Sequence, residues 1–232
     1  MKVAIMQPYF LPYIGYFQLI SAVDVFIVYD NIKYTKKGWI NRNRMLKNEK
    51  DTIFSLPLKK DSDALNVVQR YLSIDFNRGK LLKSWHDAYA RAPYFARTFP
   101  VLERIVYKKE NNLFDFIHNA ILQICEHLEL RTEIRISSEI AIDHTLKSED
   151  KVLALCEAVG ADTYINPAGG SELYSKATFQ QHGINLNFIS PNEFIYHQWG
   201  HDFIPWLSIV DVLMFNAVPD VQQKINSGFH LI

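Results

Sequence analysis

Apolar residues fall along this chain in short runs that stop at polar residues, and between the runs they recur at helical spacing. Val3 to Met6 and Val25 to Tyr29 are two such runs, and Tyr16 to Ala22 between them carries apolar positions three and four apart. Together they predict a βαβ unit. Asp24 is the turn residue before the second run. The first run stops at Gln7 and the second at Asp30-Asn31, so two strand ends offer polar groups to one crevice. The rhythm returns later in the chain. Glu133 to Ser137, Thr163 to Asn166 and Asn185 to Ile189 read as strands; Lys151 to Val159, closed by Gly160, and Ser171 to His182, closed by Gly183, read as helices. This alternation predicts an α/β fold with a doubly wound, mainly parallel sheet and right-handed crossovers.

Between the two halves, Lys80 to Ala92, Phe95 to Val106 and Asn111 to Glu129 read as three helices separated by Ala92-Pro93 and a polar stretch before Asn112. We expect one α/β domain over residues 1–232 with a helical insertion over 78–130. Thr52 to Leu58 and Val67 to Phe76 are extended in character and either widen the sheet or form a hairpin. Ile32 to Lys50 reads as a polar, basic loop, and a last apolar helix runs to Asn216.

With 25 basic and 25 acidic side chains the chain has no global field for nucleic acid or anionic membrane, so phosphate binding would have to come from local placement. Cys125 and Cys156 lie in helical patterns without metal or redox spacing and read as buried thiols, which suits a reducing cytoplasm. No run approaches the length of a membrane span and no signal peptide is evident, so a cytoplasmic location without membrane insertion is expected.

Candidate chemistry concentrates where β-runs end. Met6-Gln7-Pro8-Tyr9-Phe10-Leu11-Pro12-Tyr13-Ile14-Gly15-Tyr16 bends from the first strand into its helix, where free amide N–H groups and the helix dipole favour ligands. Gln7, Tyr9, Tyr13, Gly15, Tyr16 and Asp30 are therefore binding candidates. In the basic loop, Trp39 needs a contact, and Arg42 beside Asn43 suits a forked grip on phosphate or carboxylate. Pro167 to Ser171 makes a glycine-rich turn in which Ser171 caps the next helix and amides can approach a phosphate or sugar. The turn lacks the full dinucleotide and P-loop patterns. His197 and His201 flank Gly200 and are not read as a metal pair; no metal site is expected. Ser208 with Asp211 fits a capped helix start that a ligand can also use.

Gln7-Pro8-Tyr9, Pro12 to Phe17, Asp24, Asp30, Trp39 to Asn43, Tyr164, Leu173-Tyr174, Tyr196-His197-Gln198 and Leu207 to Asp211 together resemble the WbqC-like protein family, in order, to about Asn216. The resemblance implies a bacterial setting among genes for O-antigen and other surface polysaccharides, and adds Tyr174 and Gln198 to the binding candidates. A more distant resemblance is to nucleotidylyltransferases and the pantothenate synthetase group. Tyr13-Ile14-Gly15-Tyr16 stands where those enzymes have His-x-Gly-His, followed by Ala22-Val23-Asp24 and an apolar strand. It implies a Rossmann-like sheet and a nucleotide such as ATP. A phenol brings no positive charge at neutral pH, so charge for a phosphoryl group would come from Lys36, Lys37 or Arg42.

The favoured function is group transfer, such as N-acylation, on a nucleotide-linked or amino sugar, with a nucleotide sugar as partner. His197 is the candidate base, with Lys37 and Asp211 as further catalytic candidates. The alternatives are a non-catalytic nucleotide or nucleotide-sugar binding module and a scaffold in a polysaccharide-assembly complex.

Overall fold

Two apolar runs laid side by side form the centre of the molecule. In the computed structural model, which describes residues 1–200 and 202–232, β1 (Lys2–Met6) leads through α1 (Ile14–Ser21) to β2 (Val25–Val28). The expectation concerning His201 lies outside the described residues. β1 and β2 pair in parallel, Val3 against Val25 and Met6 against Val28, so Gln7 and Asp30 follow at the same sheet edge. Val3, Ile5, Val25 and Ile27 pack into one hydrophobic cluster while Ala4, Phe26 and Val28 pack into the other. Burial on both faces is why these strands read as unbroken apolar runs.

The chain next makes an antiparallel hairpin, β3 (Arg42–Lys47) and β4 (Lys50–Ser55), outside the main sheet. Its turn residues Asn48 and Glu49 both have positive φ, 52° and 59°, as a tight hairpin turn requires. The expected basic loop is thus partly strand. Three helices follow, α2 (Arg78–Tyr89), α3 (Phe95–Tyr107) and α4 (Leu113–His127), each overlapping a predicted span with ends shifted by up to three residues. Val67 to Phe76 is not a strand: a 3-10 turn covers Val67–Gln69, and isolated bridges from Leu72 to Leu58 and from Tyr71 to Asn112 hold the rest.

The second half returns to β5 (Glu133–Ile136), α5 (Ser148–Ala158), β6 (Thr163–Pro167), α6 (Lys176–Gln181) and β7 (Asn185–Pro191). The predicted helix from Ser171 is corrected: Ala168–Leu173 is 3-10, and α6 starts later, with the Ser175 hydroxyl accepting from Thr178 N–H as its cap. The chain ends in α7 (Ile209–Phe215), α8 (Val218–Ser227) and β8 (Phe229–Leu231). The sheet order is β5-β2-β1-β6-β7-β8, all parallel except the β7–β8 pair. The fold is therefore α/β with a Rossmann-like, mainly parallel sheet. From β1 the chain moves outward to one side and later to the other, so the switch point lies between β1 and β6. No described helix is long and apolar enough to cross a membrane.

The bend between β1 and α1 is buried, and its backbone groups need partners that water cannot supply. Phe10 N–H donates to Ile40 O at 2.9 Å, Asn43 Nδ2 donates to Leu11 O at 2.9 Å and to Phe10 O at 3.3 Å, Ser208 Oγ donates to Leu11 O at 2.6 Å, and Ile209 N–H donates to Pro12 O at 2.8 Å. Leu11 stands at φ 46°, left-handed for a γ-branched residue. β3 and α7 thus hold the bend from two sides. Gly15 leaves room for the Tyr13 ring, onto which a Cβ there would fall.

Asn43→Ala should leave the Phe10 carbonyl unpaired and lower stability by ~1–3 kcal/mol. Asn43→Asp should cost more, since a carboxylate has no donor for two carbonyl oxygens. Urea unfolding checks both, and an unchanged Asp variant would contradict the clamp.

Candidate functional site

The carboxyl ends of β1, β2 and β6 open on a cleft of about 900 Å³, at the switch point where ligands bind in open α/β sheets. Gln7 and Tyr9 line it from the first bend, Tyr29 and Asn31 from the end of β2, and Asn166 from β6. Gly169 and Gly170 form one wall; a Cβ on Gly170 would strike the Asn166 amide, so the turn lies flat against the strand end. The segment after β5 supplies His144 and Lys147, and α5 supplies Lys151.

Its electrostatics are one-sided. Lys33, Lys147, Lys151 and His144 face the cleft, and no Asp or Glu is among the described residues lining it. Lys151 is the unusual one: it is only 4% exposed, lies in the first turn of α5, and points Nζ at Asn31 Oδ1 (3.3 Å) and His144 O (3.5 Å), with the Tyr29 ring 5.1 Å away. It forms no ion pair among the described residues. Burial lowers its pKa, against an opposing pull from the Asp30 carboxylate. Glu149 and Asp150 in the same first turn suit the helix dipole, whereas Lys151 opposes it and is the buried cation that an anion in the cleft would meet.

Asn31 braces this group, and Asp30 lies behind it. Because Asn31 Oδ1 faces the ammonium, Nδ2 faces His144 Nδ1 at 3.1 Å and donates to it, which leaves Nε2 as the donor of the neutral imidazole. Asp30 is fully buried behind the cleft, where Oδ1 accepts from Ser137 Oγ at 2.8 Å and Ser138 N–H at 3.0 Å. Its Oδ2 has no hydrogen-bond partner among the described residues.

The sequence-predicted residues separate into groups. Gln7, Tyr9 and Tyr174 line the cleft. Tyr9, Tyr13, Trp39 and Asn43 line a smaller aromatic pocket next to it. The Tyr16 hydroxyl, in contrast, donates to Gln7 O at 3.0 Å inside the core, and burial raises its pKa well above that of a free phenol. Arg42 spends its fork on the Gly38 carbonyl (3.0 Å) and the Lys37 carbonyl (2.6 Å), so the guanidinium shapes its own loop. Lys37 and Ser171 are exposed and line none of these hollows. Ser208 caps α7 and binds Leu11 O.

Asp211, in α7, is buried among donors from distant parts of the chain. Oδ1 accepts from Tyr89 OH at 2.9 Å, and Oδ2 accepts from Tyr196 OH at 2.7 Å and Gln198 Nε2 at 2.9 Å. Burial raises its pKa while the three donors pull it down. Gln198 also binds Ile204 in both directions, Nε2 to the carbonyl and Oε1 from the N–H. The network ties the 196–204 segment to α2 and α7. His197 lies on that segment, exposed, and outside the lining of the cleft.

Sequence reasoning missed Asn31's bracing role, His144 and Lys151. The available signal was positional: the segment between β5 and α5 must cross the carboxyl edge of the sheet, whatever its composition.

An α/β protein with a cationic cleft at its switch point is the class that these features define. The WbqC-like protein family model matches residues 7–223, and the chain belongs to that family. It is also similar to the uncharacterized protein Rv1507c of Mycobacterium tuberculosis, 27% identical over 221 residues, covering 93% of this chain and 94% of the relative.

Asp211→Asn should lower stability by ~1–3 kcal/mol, because the new amide would turn a donor toward Tyr89, Tyr196 or Gln198, each already donating. A thermal or urea midpoint equal to the native one would show that the network tolerates an amide.

Proposed function

We propose that the protein binds a nucleotide-linked sugar in the strand-end cleft and carries out group transfer on it, in the making of a bacterial surface polysaccharide. The observation that carries this reading is Lys151, a buried cation with no ion pair and no carboxylate beside it in the cleft lining among the described residues. A diphosphate would satisfy it, with amides of the Gly169–Gly170 turn and His144 Nε2 as further donors. The cleft is large enough for a nucleoside beside the phosphates. The polysaccharide setting comes from the family resemblance and the group-transfer step from its fit to such a substrate.

His197, Lys37 and Asp211, the sequence-based candidates for catalysis, stand outside the cleft lining. A transferase acting here would draw on Lys151 and His144, with Lys33 and Lys147 as further titratable groups at the cleft. A second reading, a binding module without catalysis, draws support from the Tyr13-x-Gly-Tyr16 turn, where one phenol is consumed by the Gln7 carbonyl.

Lys151→Met keeps the stem and removes the charge. Affinity for UDP, GDP or dTDP and their sugars, by calorimetry, should fall about tenfold or more, the cost of one charge-assisted contact. Stability should hold or rise. The pKa of Lys151 is lowered in the folded protein, so the unfolded chain binds this proton more readily, and the lysine's contribution to stability is lost as pH falls through the folded value. A bound phosphate favours the ammonium, so affinity should decline as pH rises through that lowered value, below the ordinary lysine range. Equal binding by the Met variant, or none by the native protein, contradicts the reading; turnover with acyl donors separates enzyme from binder.

A further inference from the structure

Tyr9 borders the cleft and also a pocket of about 200 Å³ whose other walls are Pro12, Tyr13, Trp39, Asn43, Arg44 and Trp206. Two tryptophans here are open to solvent, Trp39 40% and Trp206 59% exposed. Trp206 is held in a left-handed backbone, φ 61°, which a bulky residue adopts only where its surroundings enforce it. Arg44 does the enforcing. Its Nη2 donates to the Trp206 carbonyl at 2.9 Å and the Pro205 carbonyl at 3.2 Å, while Nη1 is anchored on Asp51 at 2.5 Å. The Trp206 ring meets Tyr13 edge to face at 5.8 Å, and Trp39 has the Arg42 and Arg44 guanidinium groups at 5.4 and 5.9 Å.

Tyr9 and Tyr13 pack one side against the core, whereas Trp39 and Trp206 stand outside it. The hydroxyls of Tyr9 and Tyr13 have no protein hydrogen-bond partner among the described residues, and burial raises both phenol pKa values, so each stays a neutral donor and acceptor. Exposed aromatic faces set around two free hydroxyls match one ligand chemistry in particular, a pyranose, whose axial C–H groups pack on rings and whose hydroxyls bond phenols.

We infer that the box formed by Tyr9, Tyr13, Trp39 and Trp206 is the sugar subsite, continuous through Tyr9 with the cleft that takes the phosphates. The inference rests on the reading of that cleft and names where the sugar lies. The strained Trp206 backbone is then the fixed cost of presenting a flat ring to the sugar, and Arg44 is the positioning residue that holds it there.

The test compares affinities for UDP, GDP and dTDP with those for the corresponding nucleotide hexoses. Trp206→Gly removes the ring and relaxes a backbone that glycine adopts freely, so the variant should fold. It should lose about tenfold or more in affinity for the nucleotide hexose that the native protein prefers, with binding of the bare diphosphate unchanged. Trp39→Ala and Tyr13→Phe should act in the same direction, the latter more weakly. If the native protein binds diphosphate and nucleotide hexose equally, or if the variants weaken both alike, the box is not a sugar subsite although the cleft reading stands. If no nucleotide or nucleotide hexose binds, both fail.

Discussion

Two buried carbonyl groups, those of Phe10 and Leu11, set the terms for the rest of the molecule. A strand that ends at the centre of a sheet must turn into its helix through the core, and Pro8 and Pro12 make the turn without offering amide donors of their own. The open acceptors are met by Asn43 from β3 and Ser208 from the start of α7. One accounting requirement therefore fixes the hairpin, the C-terminal helices and the first bend relative to one another, and through them the walls of both the cleft and the aromatic box.

Charge is then treated in opposite ways on the two sides of the bend. Asp211 is buried with three donors on its two oxygens, a satisfied network that joins α2, α7 and the 196–204 segment. Lys151 is buried with an amide oxygen, a carbonyl and an aromatic face, none of which neutralises it. The first arrangement is complete within the chain and reads as structure. The second has no ion pair among the described residues, and the proposed binding site at the β1–β6 switch point rests on that difference.

The βαβ start, the parallel sheet and the three-helix block were legible because burial on both faces of a strand, or on one face of a helix, writes itself as apolar runs and periods. Strand β3 was not, because its buried position Asn43 is a hydrogen-bonding residue, and Arg42 to Lys47 has only Met45 and Leu46 to mark it. Val67 to Phe76 misled for the converse reason: Val67 and Leu72 are buried in the core without a strand ladder, while Ile74 is fully exposed. Ser171 after two glycines looked like a cap, yet 3-10 geometry carries the chain on to Ser175. At the site, Gln7 and Tyr9 followed from their place at a strand end. Lys151 sits in Lys147-Ser148-Glu149-Asp150-Lys151, which reads as a solvated helix start, and only the tertiary structure turns that lysine inward. Asp211, picked for its helix position, proves to belong to a network assembled from residues more than a hundred positions apart.

The most direct measurement of the account is a crystal structure of the protein soaked with a nucleoside diphosphate. The diphosphate should lie between Lys151 Nζ and the backbone of Gly169 and Gly170, within hydrogen-bond distance of both. A diphosphate bound instead on the exposed His197 face, with Lys151 unchanged, would contradict it.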